Sequence, residues 1–466
     1  MALAESLAGE TDIDLLIHRQ HAGQFRILLS QLCFQPAVTT GSGSFPSVEH
    51  YYALDEESGV LVHVHAYYRV ITGESLTKNY HLPIEEMLLQ NTREEDSVVV
   101  PTKSAELAVF TIRIMMKHAS IVELLLLYRY WQEVLQEINW LLESGSIEES
   151  VSLVEQWLPA LDGHLLAECI TALKTPASLF RRVDLGLRLR SQLRPYARHS
   201  MIPNWLTGVR KFLTMFLRRL HGTKRGMVPR DGGAVIAFVG SEATGKSTLI
   251  SEMRRWLGEH FDVEQIHAGK PKSTWLTLIP NIFVPALRSL LPGSRTTQVE
   301  AEYAQGKQSE RTRTDYPLTF AIRSALLAYD RHALLTRAYG EAANSTIVLC
   351  DRYPSLLNGA PDSPQLSNLV DSANGNSLRH RMARIEDRLY REIPAPDLVV
   401  YLSAPLDVTL SRNAARGKTE PEEYVRRRHA RTASLQFGKT PVYEINTDQP
   451  FDQTVREVKT AIWNAL

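Results

Sequence analysis

Residues Ala234–Ile250, AVIAFVGSEATGKSTLI, set an apolar strand-like run, a glycine-bounded turn and the start of an apolar helical pattern in immediate succession. Gly240-Ser241-Glu242-Ala243-Thr244-Gly245-Lys246-Ser247 matches G-x-x-x-x-G-K-[ST], with Thr248 next in line. The spacing has a mechanical reason. The glycines let the backbone curl so that successive N–H groups point inward at a phosphate, and the following helix offers its positive dipole end to the same anion. Lys246 is placed to reach β- and γ-phosphates, and the Ser247 hydroxyl to ligate Mg²⁺. Such a loop sits at the carboxyl end of a strand whose chain returns through a helix. It therefore commits its surroundings to an α/β layer with a parallel sheet.

From residue 234 to residue 466 β-like runs and helical patterns alternate. Strands are expected at Ala234–Val239, Val263–His267, Thr346–Cys350, Leu398–Leu402 and Val442–Asn446, a parallel sheet flanked by helices. The third run leads into Asp351-Arg352-Tyr353-Pro354. An acid at the end of a buried parallel strand lies beside the phosphate loop, where it can organise Mg²⁺ or orient an acceptor. Arg352 offers a fork for two phosphate oxygens. A solvated Asp–Arg pair at an ordinary strand end is the alternative.

Together GSEATGKST and DRYP resemble the thymidylate kinase and deoxynucleoside kinase branch of P-loop enzymes. Phe320–Leu335 (FAIRSALLAYDRHALL) resembles that family's helix with an alanine-Asp-Arg motif against the acceptor, which Asp330 and Arg331 would supply. Pro396–Gly417 resembles its fourth strand and the helix into its lid. Arg412 and Arg416, one turn apart, would be the lid arginines, and Lys418, Arg426, Arg427 and Arg428 extend the basic run. The four motifs stand in the family's order over about half the chain. The resemblance implies ATP-dependent phosphoryl transfer to a nucleotide-like or other small-molecule acceptor, with ATP and Mg²⁺ as cofactors. It casts Lys246, Asp351, Arg352, Arg412 and Arg416 as catalytic, Ser247 and Asp351 as metal-holding, and Asp330, Arg331, Arg352 and Tyr353 as facing the acceptor.

Two departures bear on the acceptor. Ser403 stands where the family strand continues with an acid. His267-Ala268-Gly269-Lys270-Pro271 replaces the Glu-Pro-Gly of thymidylate kinases. A cation for an anion points away from dTMP, toward a more anionic or different acceptor bound by Lys270; a solvated loop lysine is the alternative. Arg311 and Arg313 either shape the same pocket or face water. An ATP-binding switch or assembly protein is the second functional reading.

Residues 1–120 read as an α+β domain. Asp12 and Asp14 alternate on a strand-like run, so both carboxylates share one face. This resembles the Asp-x-Asp strand of the nucleotidyltransferase fold, although only eleven residues precede Asp12 and the later strand offers His63 and His65 in place of a third carboxylate. Three readings stay open. One is a non-catalytic nucleotidyltransferase-like domain. Another is an active, bifunctional nucleotidyltransferase–kinase with His63 or His65 as metal ligands beside Asp12 and Asp14. The third is an unrelated domain with solvated acids. A nucleotidyltransferase-like front before a kinase-like back is similar to proteins encoded with bacterial surface-polysaccharide enzymes.

Residues 121–230 read as helical, ending in a basic linker before the 231–466 domain. The chain of 466 residues is formally neutral, yet Arg181–Arg230 holds thirteen Lys and Arg against the single acid Asp184. With the remainder acidic, nucleic acid is an unlikely partner. Within that segment Trp205–Leu220 is an amphipathic basic helix. It either packs between domains with its cations snorkelling, lies on an anionic membrane surface, or contacts nucleic acid. A homodimer is open. Three scattered cysteines, a start (MALAESLAGETDID) without a basic leader and no long apolar run predict a soluble, cytoplasmic protein.

Overall fold

The computed structural model describes residues 11–39, 45–117, 131–174, 179–220, 226–275, 277, 318–357, 360–370, 377–415 and 422–466. The chain divides into two compact units. One comprises residues 1–53 and 61–224, the other residues 54–60 and 225–466.

The first unit opens with β1 (Ile13–Leu16), α1 (Ala22–Gln31), β2 (Gln35–Thr39), β3 (Val48–Leu54) and β4 (Leu61–Tyr67). Its strands lie in the order β1-β4-β3-β2, with β1 parallel to β4 and β2 antiparallel to β3. Strand alternation divides the residues between two faces. Tyr51, Val64 and Ala66 turn one way and join Leu29 of α1 in a core. His50, His63 and His65 therefore take the other face. Two short pairs follow, β5 (Val70–Thr72) with β6 (Tyr80–Leu82), then, after α2 (Glu85–Gln90), β7 (Thr92–Glu95) with β8 (Val98–Pro101).

Among the described residues this unit continues with α3 (Lys103–Lys117), α4 (Trp131–Leu142), α5 (Ile147–Trp157), α6 (Gly163–Lys174), α7 (Leu179–Gln192) and α8 (Met201–Leu220). Leu107, Ile112 and Met116 of α3 pack against Leu165, Ile170 and Leu173 of α6, with Leu185 and Leu189 of α7 in the same cluster. Ahead of α5, Ser146 Oγ accepts from Glu149 N and caps the helix. By contrast α8 carries exposed apolar side chains along its length, Trp205, Leu206, Phe212, Leu213 and Phe216 among them. Among the described residues no helix is long and apolar enough to cross a membrane. All three cysteines are free.

The second unit contains β9 (Met227–Pro229), β10 (Val235–Gly240), α9 (Lys246–Gly258), β11 (Val263–His267), α10 (Leu318–Ala343), β12 (Ile347–Asp351), α11 (Ser367–Val370), α12 (Leu378–Glu392), β13 (Leu398–Ser403), α13 (Leu406–Ala415), α14 (Glu422–Thr432), β14 (Val442–Asn446) and α15 (Phe451–Trp463). Among the described residues its sheet has five strands in the order β11-β12-β10-β13-β14, every neighbouring pair parallel. The expected strands are all present, with boundaries moved by no more than a residue. VIAFV, IVLC and LVV are buried without interruption because central parallel strands are covered on both faces. Edge strand β14 buries only Ile445. β10 is central, and the chain leaves it first toward β11 and β12 and later toward β13. The reversal opens a crevice at the carboxyl end of β10, where the glycine-bounded loop begins.

Candidate functional site

Gly240 ends β10 at φ +149°, and a Cβ there would stand 2.4 Å from Leu402 O of β13. No other residue fits this approach, which lets the loop turn out of the sheet. Gly245, in the left-handed region at φ +85°, then turns the chain into α9. Ala243 holds φ +60°, a conformation that costs an alanine about 1–2 kcal/mol. Thr244 Oγ1 donates to Ser241 O across the loop. Lys246 Nζ folds back and donates to Gly240 O at 2.9 Å and Ser241 O at 2.5 Å. Its ammonium thus hangs inside the loop mouth. Burial, reinforced by the Arg352 and Arg428 cations, pushes Lys246 down to about 8. Ser247 and Thr248 stand exposed at the head of α9.

Asp351 closes β12, and the parallel register of the two strands sets it level with Phe238 of β10. Its Oδ2 lies 3.5 Å from His267 Nδ1. Its Oδ1 is buried without a hydrogen-bond partner among the described residues. A buried carboxylate oxygen left in that state is costly unless a cation or its water comes to it. With the exposed Ser247 hydroxyl it forms the sparse oxygen set that Mg²⁺ accepts while keeping several waters. These residues fit the ion expected from the sequence.

Arg352 follows at φ +68°, its backbone N–H on Phe238 O. Its guanidinium meets Asp362 Oδ2 at 3.3 Å and lies 3.9 Å from Glu242 Oε1. Arg428 of α14 reaches the same Glu242 Oε1 at 2.8 Å. Two arginines therefore flank the loop through one loop carboxylate. Arg412 turns elsewhere, donating to Thr447 O and Oγ1 at the end of β14. Arg416, its expected companion, lies outside the described residues, as do Lys418, Arg311 and Arg313.

The residues expected to face the acceptor have different surroundings. Arg331 is only 2% exposed. It donates through Nε to Ala268 O, through Nη1 to Asp362 O and the Tyr390 hydroxyl, and through Nη2 to Asp362 Oδ1. Asp330 Oδ1 accepts from Thr274 N and Oγ1 and from Thr277 Oγ1. The Tyr353 hydroxyl donates to Pro394 O, and Tyr353 is buried. Asp330 and Arg331 tie Ala268, Thr274, Thr277 and Asp362 to α10, and Tyr353 is held to the chain just after α12. Lys270 is exposed. The structure thus gathers Lys246, Glu242, Asp351, Arg352 and Arg428 around the loop. Asp362, which serves two arginines, and the Glu242–Arg428 pair carry no motif in the sequence.

In the first unit Asp12 Oδ1 pairs with His63 Nδ1 at 2.8 Å, and Asp14 Oδ1 with His65 Nδ1 at 3.0 Å. His50, which no spacing pattern singles out, lies beside them with Nδ1 3.3 Å from His63 Nε2.

No protein-family model matches the chain. It is 23% identical over 235 residues to the uncharacterized ATP-binding protein YghR of Escherichia coli (strain K12), a match covering 49% of this chain and 86% of the relative. It is 24% identical over 239 residues to the uncharacterized ATP-binding protein YghS of the same organism, covering 50% and 93%. Among solved structures, a deoxyadenosine kinase from M. mycoides with the products dCMP and dCDP covers 50% of this chain and all of its own, at 15% identity and a TM-score of 0.28. The chain is therefore similar, over about half its length, to ATP-binding proteins that are themselves uncharacterized.

Proposed function

We propose that the second unit binds Mg²⁺–ATP and transfers its terminal phosphoryl group to a small acceptor. One observation carries the reading: the Lys246 ammonium is held at the mouth of the Gly240–Ser247 loop by that loop's own carbonyls, with Asp351, Arg352 and Arg428 around it. The similarity to ATP-binding relatives supports it. Phosphoryl transfer requires positioning and neutralisation of charge on the γ-phosphoryl oxygens. The loop amides and Lys246 would grip the triphosphate. Ser247 and Asp351 would hold Mg²⁺, which neutralises phosphate charge and orients the phosphoryl group. Arg352 and Arg428 would exchange Glu242 for phosphate oxygens as the group moves. Lys270 is an exposed cation on the 268–272 loop that an anionic acceptor could meet, since Arg331 is already engaged.

Calorimetry with ATP and Mg²⁺ tests the first step, and Lys246→Ala should abolish turnover without unfolding the chain. Unchanged turnover in that variant would sink the proposal. The engagement of Arg331 and Tyr353 away from solvent favours a second reading, in which ATP switches an assembly. A screen of nucleoside, nucleotide and sugar acceptors decides between them: an acceptor that stimulates ADP release establishes the kinase, whereas ATP-dependent self-association without stimulation establishes the switch. For the first unit we propose a non-catalytic role with respect to nucleotidyl transfer, because each Asp-x-Asp carboxylate is bound to a histidine.

A further inference from the structure

The first unit carries a cluster that phosphoryl transfer does not use. His50 on β3 and His63 and His65 on β4 bring one nitrogen each to within 4.8 Å of the others. His50 Nδ1 and His63 Nε2 stand 3.3 Å apart. Two imidazole nitrogens on one tetrahedral ion, each bonded at about 2.0–2.1 Å, are held roughly 3.3 Å from each other. That pair already has the separation a shared ion imposes, and His65 holds a nitrogen within 4.8 Å of both.

The outer nitrogens are fixed by carboxylates. His63 Nδ1 lies 2.8 Å from Asp12 Oδ1, and His65 Nδ1 lies 3.0 Å from Asp14 Oδ1. An imidazole that donates its Nδ1 proton to a carboxylate keeps its lone pair on Nε2, and the partner also raises the basicity of that lone pair. His63 Nε2 can accept from His50 Nδ1–H. His65 Nε2, however, faces Asp12 Oδ2 at 3.7 Å, a lone pair against a carboxylate oxygen. A cation bound nearby would be attracted to both. The three imidazoles each bring a nitrogen to one place, while Asp12 and Asp14 hold the outer nitrogens of His63 and His65.

We propose that His50, His63 and His65 bind one borderline divalent metal ion, Zn²⁺ by ligand type, with Asp12 and Asp14 as supporting carboxylates. Three imidazoles suit Zn²⁺ and its neighbours and are poor ligands for Mg²⁺. The site is independent of ATP binding, so its failure and that of the kinase reading are distinguishable.

The test uses the full chain stripped with a chelator and titrated with Zn²⁺ against a chromogenic competitor. One equivalent per chain is expected, undisturbed by millimolar Mg²⁺. Co²⁺ in place of Zn²⁺ should give the intense visible bands of a four-coordinate site. Asp14→Asn should weaken Zn²⁺ about 10–100-fold, the usual worth of a supporting carboxylate, and His50→Gln or His65→Gln should weaken it more. Circular dichroism monitors folding of each variant. Absence of stoichiometric Zn²⁺ and of the Co²⁺ bands in the unaltered chain overturns the proposal whatever the variants do. So does Zn²⁺ affinity that stays within about twofold in folded His50→Gln and His65→Gln.

Discussion

Arg428 Nη1 on α14 and Glu242 Oε1 on the glycine-bounded loop lie 2.8 Å apart, which ties a helix remote in sequence to the loop. Both side chains are largely buried, so the pair is screened less than a surface ion pair. A triphosphate entering the loop competes with Glu242 for the guanidinium and meets the carboxylate as a like charge. Glu242→Gln should therefore tighten ATP binding, by roughly tenfold for one anion removed at close range in a partly screened site. Arg428→Ala should instead slow turnover more than it weakens binding. Calorimetric Kd and steady-state kcat on both variants check this, and a weaker Kd in Glu242→Gln would refute it.

Lys246 predicts a proton linkage. Its pKa of about 8 in the free loop results chiefly from burial, with Arg352 and Arg428 adding repulsion. A bound polyphosphate favours the charged form and raises that value. The sign follows: below pH 8 the ammonium is already present and affinity is flat in pH, whereas above pH 8 binding must take up a proton and affinity falls as pH rises. At pH 8.5 about three-quarters of a proton should be taken up per ATP bound. Calorimetry in buffers of different ionisation enthalpy measures it. No uptake at pH 8.5 would show that Lys246 does not meet the phosphates.

Asp351 combines a buried Oδ1, without a partner among the described residues, with a position at the end of β12. Removing its charge should relieve a desolvation cost while removing the expected Mg²⁺ partner. Asp351→Asn should thus leave Tm unchanged or raise it by about 2–4 °C, while turnover falls on the order of a hundredfold and half-saturation by Mg²⁺ moves upward. Scanning calorimetry and an Mg²⁺ titration of turnover separate the two effects. A large loss of Tm would identify Asp351 as structural instead.

Asp362 makes the opposite case. It holds Arg331 through Oδ1 and Arg352 through Oδ2, and Arg331 is almost wholly buried. Removing one partner of a buried ion pair costs about 3–5 kcal/mol because the other charge is left behind. Asp362→Ala should lose stability of that order in urea unfolding, and Arg331→Lys nearly as much, since one ammonium cannot make four hydrogen bonds. A loss well below 1 kcal/mol would mean that water satisfies Arg331.

The parallel sheet was legible because its central strands are uninterrupted apolar runs between helical patterns, a signal that depends on burial alone. The loop was legible because its glycines answer a local backbone demand. Arg428 was visible only as one cation in a basic run, since which side of a helix meets a loop depends on packing. Asp330, Arg331 and Tyr353 could be read as facing an acceptor, because sequence gives no direction for a side chain at the end of a helix or strand. His50 escaped notice because its partners lie on another strand, thirteen residues away.

Helix α8 supports a prediction about surfaces. Trp205, Leu206, Phe212, Leu213 and Phe216 are each more than half exposed, on a helix that also carries Arg210 and Lys211. This is an apolar face with cations beside it. Water leaves it costly, whereas an anionic bilayer surface offers burial for the rings and about 1 kcal/mol for each cation near it. The full chain should float with vesicles containing phosphatidylglycerol and stay behind with pure phosphatidylcholine. High salt should weaken the association without abolishing it, because the apolar part is not screened. Phe212→Glu should abolish flotation while leaving the helical circular dichroism in place. Equal flotation of that variant would place the membrane contact elsewhere, and no flotation of the unaltered chain would remove it.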